Sequence, residues 1–402
     1  MEVIFFVAYL IEFIIIIYIE RRIWHTYCTP VICLSAPYTL ILIVSIFYSY
    51  LSPNIKFEYI SIIPWIVGVL LFWIPSLIIN KWKINRIIYT NTKITITNFN
   101  PIIISLVILI GLLFIIRIRS LLSSGLIFGS DDFSEDFSSS GIYGHLQILF
   151  IIITIALIAL YDRFPKSIWF ALLILVIIPA LSYNVKGWVL IPIIGGIICR
   201  LRTGVLKLSG SLVIKIAIFG CSIFFLSYIL CMIIGSEDST FSFEFISFLG
   251  EHLIFYLISG VESLSIDFQN GIIEQQNSDI IFTQFQNVYN YINNEPYVSN
   301  INPLYLSLGI GESNVRTLFG TLYIFGGPIN YFLVTVILSI FTYTLFIFAV
   351  SNNIWVLSLY GFYSALLTMG WFEYYFSHLL IIEIPLCSII IYILDVKLTI
   401  RK

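Results

Sequence analysis

Five of the twenty Lys and Arg in this 402-residue chain, Lys56, Arg117, Arg119, Lys186 and Arg316, stand among carboxylate-rich segments at the ends of long apolar runs. Cations in such places can grip an anion. Arg316 lies in Gly309-Ile310-Gly311-Glu312-Ser313-Asn314-Val315-Arg316-Thr317, ahead of the apolar run Leu318 to Phe325. With Ser313 or Asn314 as N-cap, the guanidinium is expected in the first helical turn. Free backbone N–H groups, the positive helix end and a bidentate side chain would together suit a phosphate there. The alternative is a local Glu312–Arg316 pair at i, i+4, which needs no ligand.

Arg117 and Arg119 end an apolar run. Two residues apart on a helix is about 200°, so one is expected to face the protein and the other lipid phosphate. The plainer reading is that both anchor to headgroups. Lys186 occupies the turn Asn184-Val185-Lys186-Gly187 between two apolar arms that go out and return within residues 168–199. Each arm reaches about 24 Å against a hydrocarbon core of about 30 Å, which places the turn below the membrane surface unless the helices extend into the flanking basic segments. A submerged Lys requires water or an anion, or snorkels to the headgroups.

Proton acceptors are sought among Glu251, His252, Glu262, Asp267 and Glu312. Glu251 and His252 come first, because they are adjacent on an otherwise apolar segment where partial burial would raise a carboxyl pKa towards neutrality. The competing view is that they mark the wet face of an interfacial helix. Glu373 and His378, flanking Tyr374-Tyr375-Phe376, form a second option, although aromatics at a helix end commonly belong to the interfacial belt.

The elements that must position these groups follow from composition. With 59% hydrophobic and 10% charged residues, a soluble core cannot absorb the apolar excess, whereas lipid can solvate helices on all sides. The chain is expected to be an all-α polytopic membrane bundle forming a single domain over 1–402. Requiring 17 to 25 apolar residues per crossing, about eleven spans are predicted, near 3–19, 31–51, 60–79, 100–116, 144–161, 167–183, 188–199, 212–234, 327–350, 354–372 and 378–394. The first run, Val3 to Ile19, lacks a basic leader and a small-residue cleavage site and reads as a retained helix. An outside N-terminus and a cytoplasmic C-terminus put fifteen of the twenty basic residues inside. Outer loops are then expected at 117–143 and 235–326, and they hold fourteen carboxylates.

The segment 235–326 is too long for a passive connector and is expected to fold on the bundle. Within it, Phe241 to Gly260 reads as an interfacial or re-entrant helix, being interrupted by Glu244, Glu251 and His252. Ile280 to Ile292 reads as a surface helix that packs Ile281, Phe285, Val288 and Ile292 on the bundle. Its amides and tyrosines offer a second reading, a surface for sugars.

Several classes are set aside. Basic residues form no stripe with interleaved aromatics, so nucleic acid is not an expected partner. Cysteines 28, 33, 199, 221, 231 and 387 lie in or beside apolar runs and imply no disulfide framework. His25, His145, His252 and His378 are scattered and no Asp-x-Asp pattern occurs, so neither a metal nor another cofactor is expected.

The run Asn314-Val315-Arg316-Thr317-Leu318-Phe319-Gly320-Thr321-Leu322-Tyr323-Ile324-Phe325-Gly326-Gly327, entering a late membrane helix after a large loop, resembles oligosaccharide repeat unit polymerases of the O-antigen polymerase (Wzy) type. The Asn184-Val185-Lys186-Gly187 turn looks like the basic-Gly turn of that family's middle hairpin. Two positions depart from the pattern: Ile324 stands where an acidic residue commonly precedes Phe-Gly, and Lys186 where Arg is common.

The resemblance implies a metal-independent, GT-C-like polymerase or ligase architecture in a bacterial inner membrane. Its implied activity is a glycosyltransferase joining polyprenyl-pyrophosphate-linked oligosaccharides at the outer face. A chain-length regulator is a further implied partner, besides membrane lipid. Arg117, Arg119, Lys186 and Arg316 would hold the pyrophosphate, Glu251 and His252 would act with Arg316 in catalysis, and Glu262, Asp267, Glu312, Tyr323, Glu373 and His378 would support them. Such chemistry must stabilise charge developing on a diphosphate, which Arg or Lys can do. An O-antigen ligase, a flippase or transporter for the same lipid-linked sugars, and a non-enzymatic scaffold remain the alternatives.

Overall fold

The computed structural model describes residues 3–52, 56–81, 101–128, 130–138, 142–181, 187–235, 243–271, 279–302, 304–349 and 353–400. Lys186 and most of the inner segment carrying Lys83, Arg86 and Lys93 lie outside the described residues. The helices are, in chain order, α1 (Val3–Trp24), α2 (Pro30–Leu51), α3 (Ile63–Lys81), α4 (Pro101–Ser123), α5 (Asp131–Ser138), α6 (Ile142–Ala159), α7 (Lys166–Leu181), α8 (Gly187–Arg202) and α9 (Gly210–Gly235), followed by α10 (Phe243–Gln269), α11 (Asp279–Asn293), α12 (Leu318–Phe348), α13 (Ile354–Thr368) and α14 (Leu380–Ile400). The described strands are a two-residue hairpin, β1 (Leu306–Ser307) antiparallel to β2 (Glu312–Ser313).

The protein is all-helical, and seven helices of the described residues are long and apolar enough to cross a membrane, by length and composition. They are Val3–Trp24, Pro30–Leu51, Tyr59–Asn80, Ile103–Ser123, Gly210–Ile229, Phe243–Gln269 and Leu318–Phe348; shorter apolar helices cover Tyr143–Ala159, Lys166–Val176, Ile354–Thr368 and Leu380–Leu394. One of the seven departs from expectation. Residues 243–260 do not form a short piece of their own but belong to α10, a continuous helix of 27 residues. Its charges do not interrupt it, because Glu262 and Asp267 turn inward to partners while Glu244 and Glu251 stay exposed. A crossing by α10 would put the residues before it and after it on opposite sides of the membrane.

The chain divides into two compact units, one of residues 1–91, 251–348 and 366–382, the other of 92–250, 349–365 and 383–402. In the first unit α3 and α12 share the largest helix interface. Tyr38 stacks on Trp65 with ring centroids 3.6 Å apart, and Phe319 meets Trp65 edge-on. Gly68 allows this approach: a Cβ there would come within 2.5 Å of the Phe319 ring. Glu20 is wholly buried within α1. Trp73 Nε1 and Ser76 Oγ donate to its Oε1 at 3.0 and 2.6 Å, and the Tyr343 hydroxyl donates to Oε2 at 3.0 Å. A ring of donors supplies what water would otherwise give a carboxylate.

In the second unit α6 packs on α8, and α4 on α7. Small residues make close contact possible where α8 meets α13. A Cβ on Gly195 would approach Gly361 O to 3.0 Å, and Cys199 Sγ donates to Leu357 O at 3.2 Å. Backbones come this near in lipid-solvated bundles because van der Waals packing replaces the hydrophobic drive. The short helix α5 turns Phe133 and Phe137 onto Phe114 of α4, leaving Asp132 and Asp136 exposed.

Candidate functional site

Arg316 does not stand in a helical turn. Ser313 is in β2, and α12 begins at Leu318, capped by Thr317, whose Oγ1 accepts from Gly320 N at 3.1 Å and from Trp65 Nε1 at 2.9 Å. Leu318 N donates to Gly370 O at 2.7 Å. The amides of Leu318 and Gly320 are thus taken by protein acceptors, and Arg316 lies one residue before the cap.

Its guanidinium is held from another direction. Nε and Nη2 donate to Oδ2 and Oδ1 of Asp267 at 2.8 and 3.1 Å, and Nη1 donates to Leu304 O at 2.8 Å. Arg316 is 2% exposed and Asp267 1%. The local Glu312 pair does not form: Glu312 is exposed in β2, and no helix spans 312–316 to bring i and i+4 onto adjacent turns. Sequence separation hid the true partner: Asp267 is on the last turns of α10, before the whole of α11 and the hairpin.

Beside this pair is a small hollow, open on one side. Its lining includes Arg316, Asn300, Asn302, Asn314, Thr321, Glu373, Tyr374 and Ser377 as polar members, with Ile280 and Val315 as apolar ones. Glu373 reaches it from the segment joining α13 to α14. That segment is brought against α10 by Gly260, where a Cβ would meet Phe372 O at 2.4 Å and Trp371 O at 2.6 Å. The bond from Leu318 N to Gly370 O ties the same segment to the start of α12. Burial pushes the Glu373 carboxyl up to about 7. A carboxyl that changes charge near neutrality can take a proton from a hydroxyl or return one.

His378 is not part of this lining. Burial pushes its imidazole down to about 4, so the ring is neutral and its Nδ1 accepts from Asn300 Nδ2 at 2.8 Å. Asn314 Nδ2 donates to Asn302 O at 3.1 Å, fixing a second amide of the lining. The result is a row of oriented amides and hydroxyls around one titrating carboxyl and one neutralised guanidinium.

The other candidates are placed elsewhere. Glu251 is exposed on α10; His252 is half-buried against Phe255 and Tyr256, with ring centroids 5.9 and 5.3 Å away. Neither lines the hollow. Glu262 is fully buried and accepts from Ser49 Oγ at 2.9 Å. Tyr323 stacks on Phe268, the neighbour of Asp267. Arg117 and Arg119 belong to the second unit. The first donates from Nη2 to Asp136 O at 2.8 Å and lies over the Tyr143 ring, while the second is exposed, the divergence that their spacing requires.

Residues 54–401 match the profile described as a family of unknown function, DUF6337. The chain belongs to the DUF6337 family. No curated protein and no solved structure matches it. Across this DUF6337 chain, then, the roles of Glu373, Arg316 and Asp267 rest on their geometry.

Proposed function

We propose that this DUF6337 protein is a membrane glycosyltransferase that polymerises polyprenyl-pyrophosphate-linked oligosaccharide units, the hollow beside Arg316 receiving the acceptor hydroxyl. One observation carries the reading: Glu373, whose carboxyl burial pushes up to about 7, lines a hollow together with Asn300, Asn302, Asn314 and hydroxyl groups, the lining that suits a neutral polyol. In the proposed step the acceptor oxygen attacks the glycosyl carbon, the bond from that carbon to the diphosphate oxygen breaks, and the diphosphate leaves with the bonding pair. Glu373 takes the hydroxyl proton. Arg316 serves by position: two-point pairing with Asp267 spends its charge, so it orients the hollow rather than gripping the diphosphate. That grip falls to cations elsewhere in the chain.

A transporter reading would lean on two other features. Glu12 on α1 has both carboxyl oxygens buried without a hydrogen bond, and α12 is broken at Gly327, which has φ 64°. The break lies where lipid-type exposure of α12 begins, at Pro328 and Ile329, and not at the middle of the helix's apolar length. A break at that level would not be the midplane break that transporter sites use, which favours the glycosyltransferase reading.

The surface polysaccharide of a deletion strain tests the proposal. Loss of the repeat ladder with a single attached repeat retained is the expected result. Loss of all attached sugar would point instead to a ligase or a flippase, and an unaltered ladder would remove the glycosyltransferase reading.

A further inference from the structure

Helix α11 keeps only Ile281 of its expected apolar stripe fully buried. Its inward residues are Ile281, Thr283, Gln284, Asn287 and Asn290, whereas Phe285, Tyr289 and Ile292 are 57%, 61% and 71% exposed. The amides turn inward because they close the following loop: Asn287 Nδ2 donates to Val298 O at 2.9 Å, Val298 N donates to Asn287 Oδ1 at 2.8 Å, and Asn290 Nδ2 donates to Pro296 O at 2.8 Å. Phe285, Tyr289 and Ile292 follow i, i+4, i+7 and so form one outward stripe.

The height of this stripe is set by its contact with α12. Ile281 packs at Gly326, where a Cβ would approach Ile281 Cδ1 to 2.7 Å. Before that point α12 is interior; beyond it Pro328 and Ile329 are exposed, Ile329 by 73%. Residues 328–348 of α12 extend about 31 Å, the full hydrocarbon thickness by themselves. If residues 328–348 are the spanning part, Gly326 lies at the level where α12 would enter the membrane, and the stripe of α11 would continue the exposed apolar surface of α12 outward from it.

We propose that α11 lies on the bilayer surface with Phe285, Tyr289 and Ile292 seated among the lipid headgroups and upper acyl chains. Tyrosine and phenylalanine suit that depth, with apolar rings below and a hydroxyl at the wet boundary. Residues 270–315 contain no Lys or Arg but include Glu274, Asp279, Glu295 and Glu312. The attachment is thus apolar and does not depend on anionic lipid. Ile280 of the same helix lines the hollow, so a lipid-borne substrate would pass from the bilayer to the hollow along α11.

The test uses the full chain in vesicles of zwitterionic lipid, with Phe285→Cys or Ile292→Cys labelled with bimane and the identically labelled parent chain subtracted. Lipid carrying a nitroxide near the headgroup should quench each label by half or more. Aqueous iodide should quench each far less than it quenches a soluble bimane adduct, and added anionic lipid or salt should change neither. Iodide quenching equal to that of the soluble adduct, with no quenching from lipid, would overturn the proposal. So would protection from both quenchers accompanied by disulfide cross-links between copies, since the stripe would then be a contact with a second copy. This readout is independent of polymer formation, so it can fail while the glycosyltransferase proposal stands.

Discussion

Arg316 and Asp267, separated by 48 intervening positions, share two hydrogen bonds of 2.8 and 3.1 Å with both side chains almost fully out of solvent. Removing one partner of such a pair leaves a buried charge uncompensated, which typically costs about 3–5 kcal/mol. Asp267→Ala and Arg316→Ala should each lower the melting temperature of the purified protein sharply. The double variant should lose much less than the sum, as coupled partners do. Additive losses would mean that the two groups act independently.

Glu373 supplies a pH signature. Its folded-state pKa, raised to about 7 from 4.5, means that the folded protein holds this proton more tightly than the unfolded chain. Stability from this group should therefore be undiminished below the unfolded value of 4.5, fall as pH rises between about 4.5 and 7, and level off above. Activity should run the other way, increasing through about pH 7 as the carboxyl becomes able to accept a proton. Glu373→Gln should flatten both profiles while keeping the fold; unchanged profiles would show that another group titrates.

Gly260 holds the segment that carries Glu373 against α10. Gly260→Ala would force a methyl group to within 2.4 Å of Phe372 O, and overpacking of this kind costs about 1–3 kcal/mol. The variant should insert into the membrane but lose activity out of proportion to its loss of stability. Wild-type activity would dissociate the 371–373 segment from the site.

Asn287 closes the loop after α11 through two bonds to Val298. Asn287→Ala should cost about 1–3 kcal/mol, because it strands a backbone N–H and a C=O of the loop. Hydrogen exchange should accelerate around residues 296–302 and leave α12 unaffected. Uniform acceleration would indicate global destabilisation.

Composition and apolar run length made the membrane class legible in the sequence, since no soluble core could hold so much Ile and Phe. Arg316 was legible too, as a lone cation before an apolar run. Its role was not: a helix was expected from Asn314, but the hairpin pairing of Leu306 with Ser313 keeps the backbone extended there and delays the helix to Leu318. Asp267 was visible only as a distant carboxylate, because nothing local couples it to Arg316 across α11. For α11 the periodicity was right, but only Ile281 of the expected apolar stripe is fully buried. Amides that cap their own loop won the interior from the aromatics, an outcome possible where lipid can receive the apolar face. Glu251 and His252 drew notice through adjacency, yet what tunes a carboxyl here is enclosure, and Glu373 has it.

The most direct measurement is the surface polysaccharide profile of a strain carrying Glu373→Gln at wild-type membrane abundance. The proposed role predicts a single attached repeat without a ladder. A ladder of wild-type length and intensity would contradict it.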